Sequence, residues 1–136
     1  MTTYYIDTSA AIKLLVCESH SVAFAEFYDE RHDDTWVSSS LLRVELMRAV
    51  TRTLPAAVSD ARALLLAFDY VGMDDEVVDA AMNEQDPMLR ALDAIHLATA
   101  RLLGSDVAGF VTYDDRLRTA STRAGLTVVS PRTGER

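Results

Sequence analysis

Short apolar runs alternate with longer helical patterns along this chain, and that alternation limits its architecture more than any other feature. Tyr4–Ile6 reads as a strand, followed by a helix from about Ser9 to Cys17. A second helix is expected over Val22–Glu30. Trp36–Val37 is a short strand, and serines 38–40 cap the helix that carries "LLRVELMRAVTRT". A further helix runs from about Ala57 to Phe68, and "DDEVVDAAM" makes a short one. After "DP", Met88–Leu103 forms a long helix stopped by Gly104. "GFVTYDD" is a strand with a turn, Arg116–Ala124 a helix stopped by Gly125, and "LTVV" a last strand. Strands separated by helices imply an α/β fold with parallel strands, right-handed crossovers and helices on both faces. Ligands of such sheets bind beyond the C-terminal strand ends, where Asp7 and Asp114 both fall.

The length of 136 residues suits one domain, 1–136, able to bury a real core. Repeats, low-complexity tracts and linkers are missing from the sequence, so a second domain is not expected. Hydrophobic residues at 49% and charged residues at 25% fit a folded cytoplasmic protein rather than a disordered one. A formal charge of -8 gives no sign of a wholesale electrostatic grip on nucleic acid and leaves room only for local patches. Lys13 is the only lysine, so cationic contacts fall to arginines, whose forked head suits carboxylate and phosphate. Cys17 is alone, which rules out an intrachain disulfide and a multi-cysteine zinc cage. "LLVC" resembles a lipoprotein processing site only faintly: Val16 is bulky, Lys13 interrupts the apolar run, and no basic segment precedes Asp7. No apolar run approaches the ~20 residues of a membrane span.

The acids are placed oddly. Asp7 follows three strand residues, so it is either a turn or cap residue or one wall of a site that needs negative charge. Glu45 shares a helix face with Leu41, Leu42 and Ala49, on the apolar stripe. It pairs there with Arg48 or another arginine, or serves a site; both readings stand. Asp93 has Leu89, Leu97 and Ala100 on its face and His96 one turn on. A carboxylate in that position is costly, and function is favoured over a salt bridge to Arg90 or Arg101. Asp115 fits the cap of the following helix, which leaves Asp114 free to point at the strand ends. Thr112 is placed to hydrogen-bond a carboxylate or a water, Ser9 reads as a helix cap, and His96 as a packed core histidine rather than a general base. Cys17 reads as a buried small hydrophobe.

Singly, each acid has a bland explanation. Converging carboxylates, however, repel one another and raise one another's pKa unless a cation neutralises them. An all-oxygen donor set suits Mg²⁺ or Mn²⁺, which support in-line phosphodiester hydrolysis. Asp7 is therefore read as a metal ligand.

The same stretches resemble a known family. "YYIDTSAAIKLLV", "VELMRAVTR", "LRALDAIHLATA" and "FVTYDDRL" are similar to the four acidic segments of PIN-domain ribonucleases of the VapC toxin type, over residue 3 to about Pro131. The resemblance implies an acidic pocket of Asp7, Glu45, Asp93 and Asp114, with Thr112 in support. It implies a PIN-like three-layer α/β/α fold with a central parallel five-stranded sheet, a homodimer, and Mg²⁺ or Mn²⁺. It further implies RNA cleavage leaving a 3′-hydroxyl, a VapB-type antitoxin partner, and operator DNA reached only through that antitoxin.

Arg48 and Arg90 lie one turn from Glu45 and Asp93, and Arg116 follows Asp114, so all three are candidate phosphate contacts. Each is also an ordinary solvated helix residue. Two other readings compete with the nuclease. A receiver-like Mg²⁺-binding domain expects an acidic cluster after the first strand and a late lysine, and this chain has neither. A catalytically silent PIN-like binding module expects lost acids, and none is lost.

Overall fold

A computed structural model describes residues 2–133; Met1 and residues 134–136 of the expected 1–136 domain lie outside the described residues. Five strands form one sheet: β1 (Thr3–Ile6), β2 (Thr35–Ser39), β3 (Asp69–Val71), β4 (Gly109–Val111) and β5 (Val128–Val129). Their order is β3-β2-β1-β4-β5, and every neighbouring pair is parallel. The helices are α1 (Thr8–Ala11), α2 (Ser21–Glu30), α3 (Leu41–Thr53), α4 (Val58–Leu65), α5 (Asp75–Met82), α6 (Ala91–Leu103) and α7 (Asp115–Arg123).

The period-two alternation of strand side chains produces the three layers. Ile6, Trp36 and Val111 point into one core with Phe24, Leu42, Leu46 and Val50. Tyr5, Val37 and Phe110 point into the other with Leu97, Leu117 and Ala120. Both faces are thus covered, as parallel sheets require. The Tyr5 and Phe110 rings stack at 5.1 Å across the central strand pair. A side chain at Gly109 would meet Val129 Cγ2 at 2.8 Å, so glycine lets β5 close against β4.

Several boundaries differ from the sequence expectation. The first helix ends at Ala11 and continues as a 3-10 turn, Ile12–Leu14, so Cys17 lies past it and is exposed rather than buried. Pro55 opens a separate 3-10 turn before α4, which ends at Leu65 and frees Asp69–Val71 to form β3. Met88 is not helical: Asp86 accepts from the Met88 N–H at 2.9 Å and holds a turn, and α6 begins only at Ala91. Ser38 and Ser39 belong to β2, and of the expected caps Ser39 Oγ accepts from the Leu41 N–H at 3.2 Å while Ser40 precedes α3 without a side-chain bond. No described helix is long and apolar enough to cross a membrane.

Candidate active site

The end of β1, the central strand, brings Asp7 to the C-terminal side of the sheet. Its extended backbone starts α1, and its Oδ1 accepts from the Ala10 N–H at 3.0 Å. Ser9 donates to the same oxygen at 2.8 Å, and Thr112 donates to Oδ2 at 2.5 Å. Asp7 is thus the cap of α1, a role expected for Ser9. At 3% exposure it is also a buried acid. Burial pushes its pKa up, and the His96 imidazole with the Thr112, Ser9 and Ala10 hydrogen bonds pull it back.

The end of β4 supplies the opposite wall. Thr112 accepts from the Asp114 N–H at 3.1 Å while donating to Asp7, so one hydroxyl ties together the two strand ends. Asp114 caps α7, accepting from the Leu117 N–H at 2.9 Å. The sequence reading gave that role to Asp115. The Asp115 side chain instead starts inside the helix, 90% exposed, with Arg118 at 3.6 Å. A cap carboxylate reaches the N–H three residues on, and Leu117 stands at that spacing from Asp114.

The two helices contribute Glu45 and Asp93. Glu45 does not pair with Arg48. Its Oε1 accepts from the Thr8 hydroxyl at 2.9 Å and lies 2.6 Å from His96 Nε2. His96 is the hydrogen-bonded core residue expected of it, with Nδ1 2.7 Å from the Tyr5 hydroxyl. Its tie to Glu45 was not foreseen. The signal lay in the spacing, because His96 sits one turn from Asp93 and so shares its face. Asp93 makes no hydrogen bond or ion pair among the described residues, and Arg101 pairs with Glu84 instead.

Burial, and then the charges of Asp114 and Asp7, push the Asp93 pKa up to about 6; Glu45 adds to this and His96 opposes it. All four acids therefore act on one point. Glu45, Asp93 and Asp114 line an open cleft of about 580 Å³ together with Arg90 and Arg116. Asp7 is buried and not part of that lining, and Arg48 is exposed and outside it. Among the described residues, no three His, Cys, Asp or Glu side chains close into a ligand cage. Such an open, oxygen-only set is of the kind that would suit a hard cation keeping several waters, and the unpartnered Asp93 carboxylate could donate to it.

The family model described as PIN domain matches residues 4–122. The chain belongs to the PIN-domain family. Among curated relatives, Ribonuclease VapC46 of Mycobacterium tuberculosis (strain ATCC 25618 / H37Rv) is 41% identical over 131 residues, covering 96% of this chain and 99% of that protein. Ribonuclease VapC35 of the same strain is 39% identical over 129 residues, covering 93% and 96%. This PIN domain is therefore of the VapC type. Its fold is also that of the solved M. tuberculosis VapC20, a sarcin–ricin loop cleaving toxin, with TM-score 0.76 at 16% identity over 94% of this chain and 99% of that one. VapBC2 from Rickettsia felis, solved bound to a DNA fragment from its promoter, gives 0.69 at 11% identity over 96% and 99%. The receiver-like reading is set aside by the family of this PIN domain.

Proposed function

We propose that this PIN domain is a metal-dependent endoribonuclease, the toxin of a type II toxin–antitoxin pair. The observation that carries the reading is the convergence of Glu45, Asp93 and Asp114 on one cleft, a crowding that together with burial and Asp7 pushes the Asp93 pKa up to about 6. Acids held together at such a cost are useful when a cation shares them. Asp7, Glu45, Asp93 and Asp114 would hold Mg²⁺ or Mn²⁺, and Thr112 would keep Asp7 and Asp114 in place. When bound, the metal supplies charge stabilisation for in-line phosphodiester hydrolysis and lowers the pKa of water.

The chain's own residues do the rest. Arg90 and Arg116, on the cleft lining, meet the RNA backbone and position the scissile phosphate between the acids. Thr8 holds Glu45, and the buried Asp7 anchors the floor. Arg48, outside the lining, is left as a peripheral contact. The products carry a 3′-hydroxyl. The similarity to curated VapC ribonucleases supports RNA as substrate; a cognate VapB-type antitoxin as inhibitor, a homodimer and cytoplasmic action belong to the same proposal. Operator DNA is reached only through the antitoxin.

Sequencing RNA ends after inducing the protein without its antitoxin tests the reading. A discrete set of new ends, absent with Asp93→Asn, is expected. Identical ends with the wild type and the variant would make the domain a binding module.

A further inference from the structure

The cleft is backed by a chain of buried hydrogen bonds that the proposed chemistry does not itself use. The Tyr5 oxygen accepts from the Ser39 N–H at 3.1 Å. The Tyr5 hydroxyl lies 2.7 Å from His96 Nδ1, and His96 Nε2 lies 2.6 Å from Glu45 Oε1. Tyr5 and His96 are 0% and 1% exposed, so water reaches neither. The Glu45 side chain, at 17% exposure against 2% for His96, is where the chain meets the cleft.

We infer that His96 is a positioning residue of this site, fixing the rotation of the Glu45 carboxylate from its buried side so that one oxygen stays available to the cleft. A carboxylate is acceptor-only, so Nε2 must carry the proton it shares with Glu45. The other ring nitrogen is held by Tyr5, which sets the plane of the imidazole. Thr8 donates to the same Oε1 at 2.9 Å, so both holding groups act on one oxygen. Oε2 has no hydrogen-bond partner among the described residues, and Glu45 lines the cleft. Glutamate has several rotatable bonds, and a group that must meet a cation or water at a defined place gains from having them locked beforehand. An aliphatic side chain would fill the same space without the cost of burying an imidazole. This role rests on the nuclease reading, in which Glu45 is part of the metal site.

Three measurements separate the role from simple packing. His96→Leu keeps the bulk and removes the N–H, and His96→Gln returns an amide N–H near the position of Nε2. Calorimetry with Mn²⁺ alone should show affinity lowered roughly 10- to 100-fold in His96→Leu and largely recovered in His96→Gln. Single-turnover cleavage of an RNA containing the mapped site should follow the same order at saturating RNA, with RNA affinity unchanged. The ¹⁵N spectrum of the wild-type imidazole should show Nε2 protonated. A folded His96→Leu with wild-type Mn²⁺ affinity would overturn the role, as would a bare Nε2 in the wild type. Should His96→Leu fail to fold, Tyr5→Phe, which releases Nδ1, takes its place. A several-fold weaker Mn²⁺ affinity in Tyr5→Phe supports the role and an unchanged one overturns it. If the wild type cleaves no RNA, the nuclease reading falls, while Mn²⁺ affinity and the spectrum still decide what His96 does for Glu45.

Discussion

Thr112 donates its hydroxyl proton to Asp7 Oδ2 across 2.5 Å, joining the ends of the two central strands through a fully buried bond. The Thr112 hydroxyl oxygen in turn accepts from the Asp114 N–H, so it sets the separation of two acids at once. Thr112→Val, nearly the same shape, should therefore leave a buried carboxylate short of a donor and cost about 1–3 kcal/mol. Cleavage should fall with it, because Asp7 and Asp114 lose their common tie. Thr112→Ser should recover most of both. Chemical denaturation and single-turnover cleavage of the three proteins check this; equal stability of Val and Thr would make the bond incidental.

The raised pKa of Asp93 gives a pH dependence with a definite sign. Its value rises from 3.8 unfolded to about 6 folded, so between those values the folded protein binds more protons than the unfolded chain. The Asp93 contribution to metal-free stability is then most favourable at or below pH 3.8, declines as pH rises, and is fully lost above about pH 6. Asp93→Asn should melt higher than the wild type at pH 7, with the difference shrinking towards pH 4. Thermal melts in a chelating buffer across that range provide the check. A constant difference would place its cause elsewhere than in this carboxylate.

Most of the architecture was legible because strand and helix periods differ. "TYYI" and "GFV" supply short apolar runs, and Gly104 and Gly125 stop helices at positive φ as expected. β3 was not legible: "DYV" is three residues long, partly exposed, and its strand character comes from pairing with β2. The start of α6 was misread because the apolar pattern extends back through Leu89 and Met88, whereas the Asp86 turn fixes the backbone there. For the site, Asp7, Glu45 and Asp93 stood out by being acids in apolar surroundings. The partners of Glu45 did not, since Thr8 and His96 lie 37 and 51 residues away and only the fold brings them together. The swapped caps at Asp114 and Asp115 show the limit of reading adjacent, chemically equivalent residues.

Adding Mn²⁺ should raise the melting temperature, since a ligand that binds only the native state stabilises it by mass action. At a hundred times its dissociation constant the gain is about 2.7 kcal/mol. The shift should be greatest at pH above about 6, where Asp93 is ionised, and smaller below it. It should shrink in Asp93→Asn, which removes the acid that has no other partner. Scanning fluorimetry against a Mn²⁺ series measures it. A melting point indifferent to Mn²⁺ at every pH would count against the metal site altogether.

The arginines separate by position. Arg90 and Arg116 line the cleft, and Arg116 donates to the Met88 carbonyl at 3.5 Å, whereas Arg48 is exposed and outside the lining. Phosphate contacts release counterions from RNA, so each one lost should reduce the slope of log affinity against log salt by about 0.7 for a single strand. Arg90→Ala and Arg116→Ala should each weaken RNA binding most at low salt, with Mn²⁺ affinity unchanged. Their combined slope change should approach the sum of the two, because the residues sit on different elements and are not paired with each other. Arg48→Ala should leave the slope close to that of the wild type. The measurement is binding of a short RNA to a cleavage-deficient Asp93→Asn background across a salt series, which keeps the substrate intact. An Arg48→Ala slope change as large as that of Arg90→Ala would show that the RNA leaves the cleft along α3, and would move the substrate path to that helix.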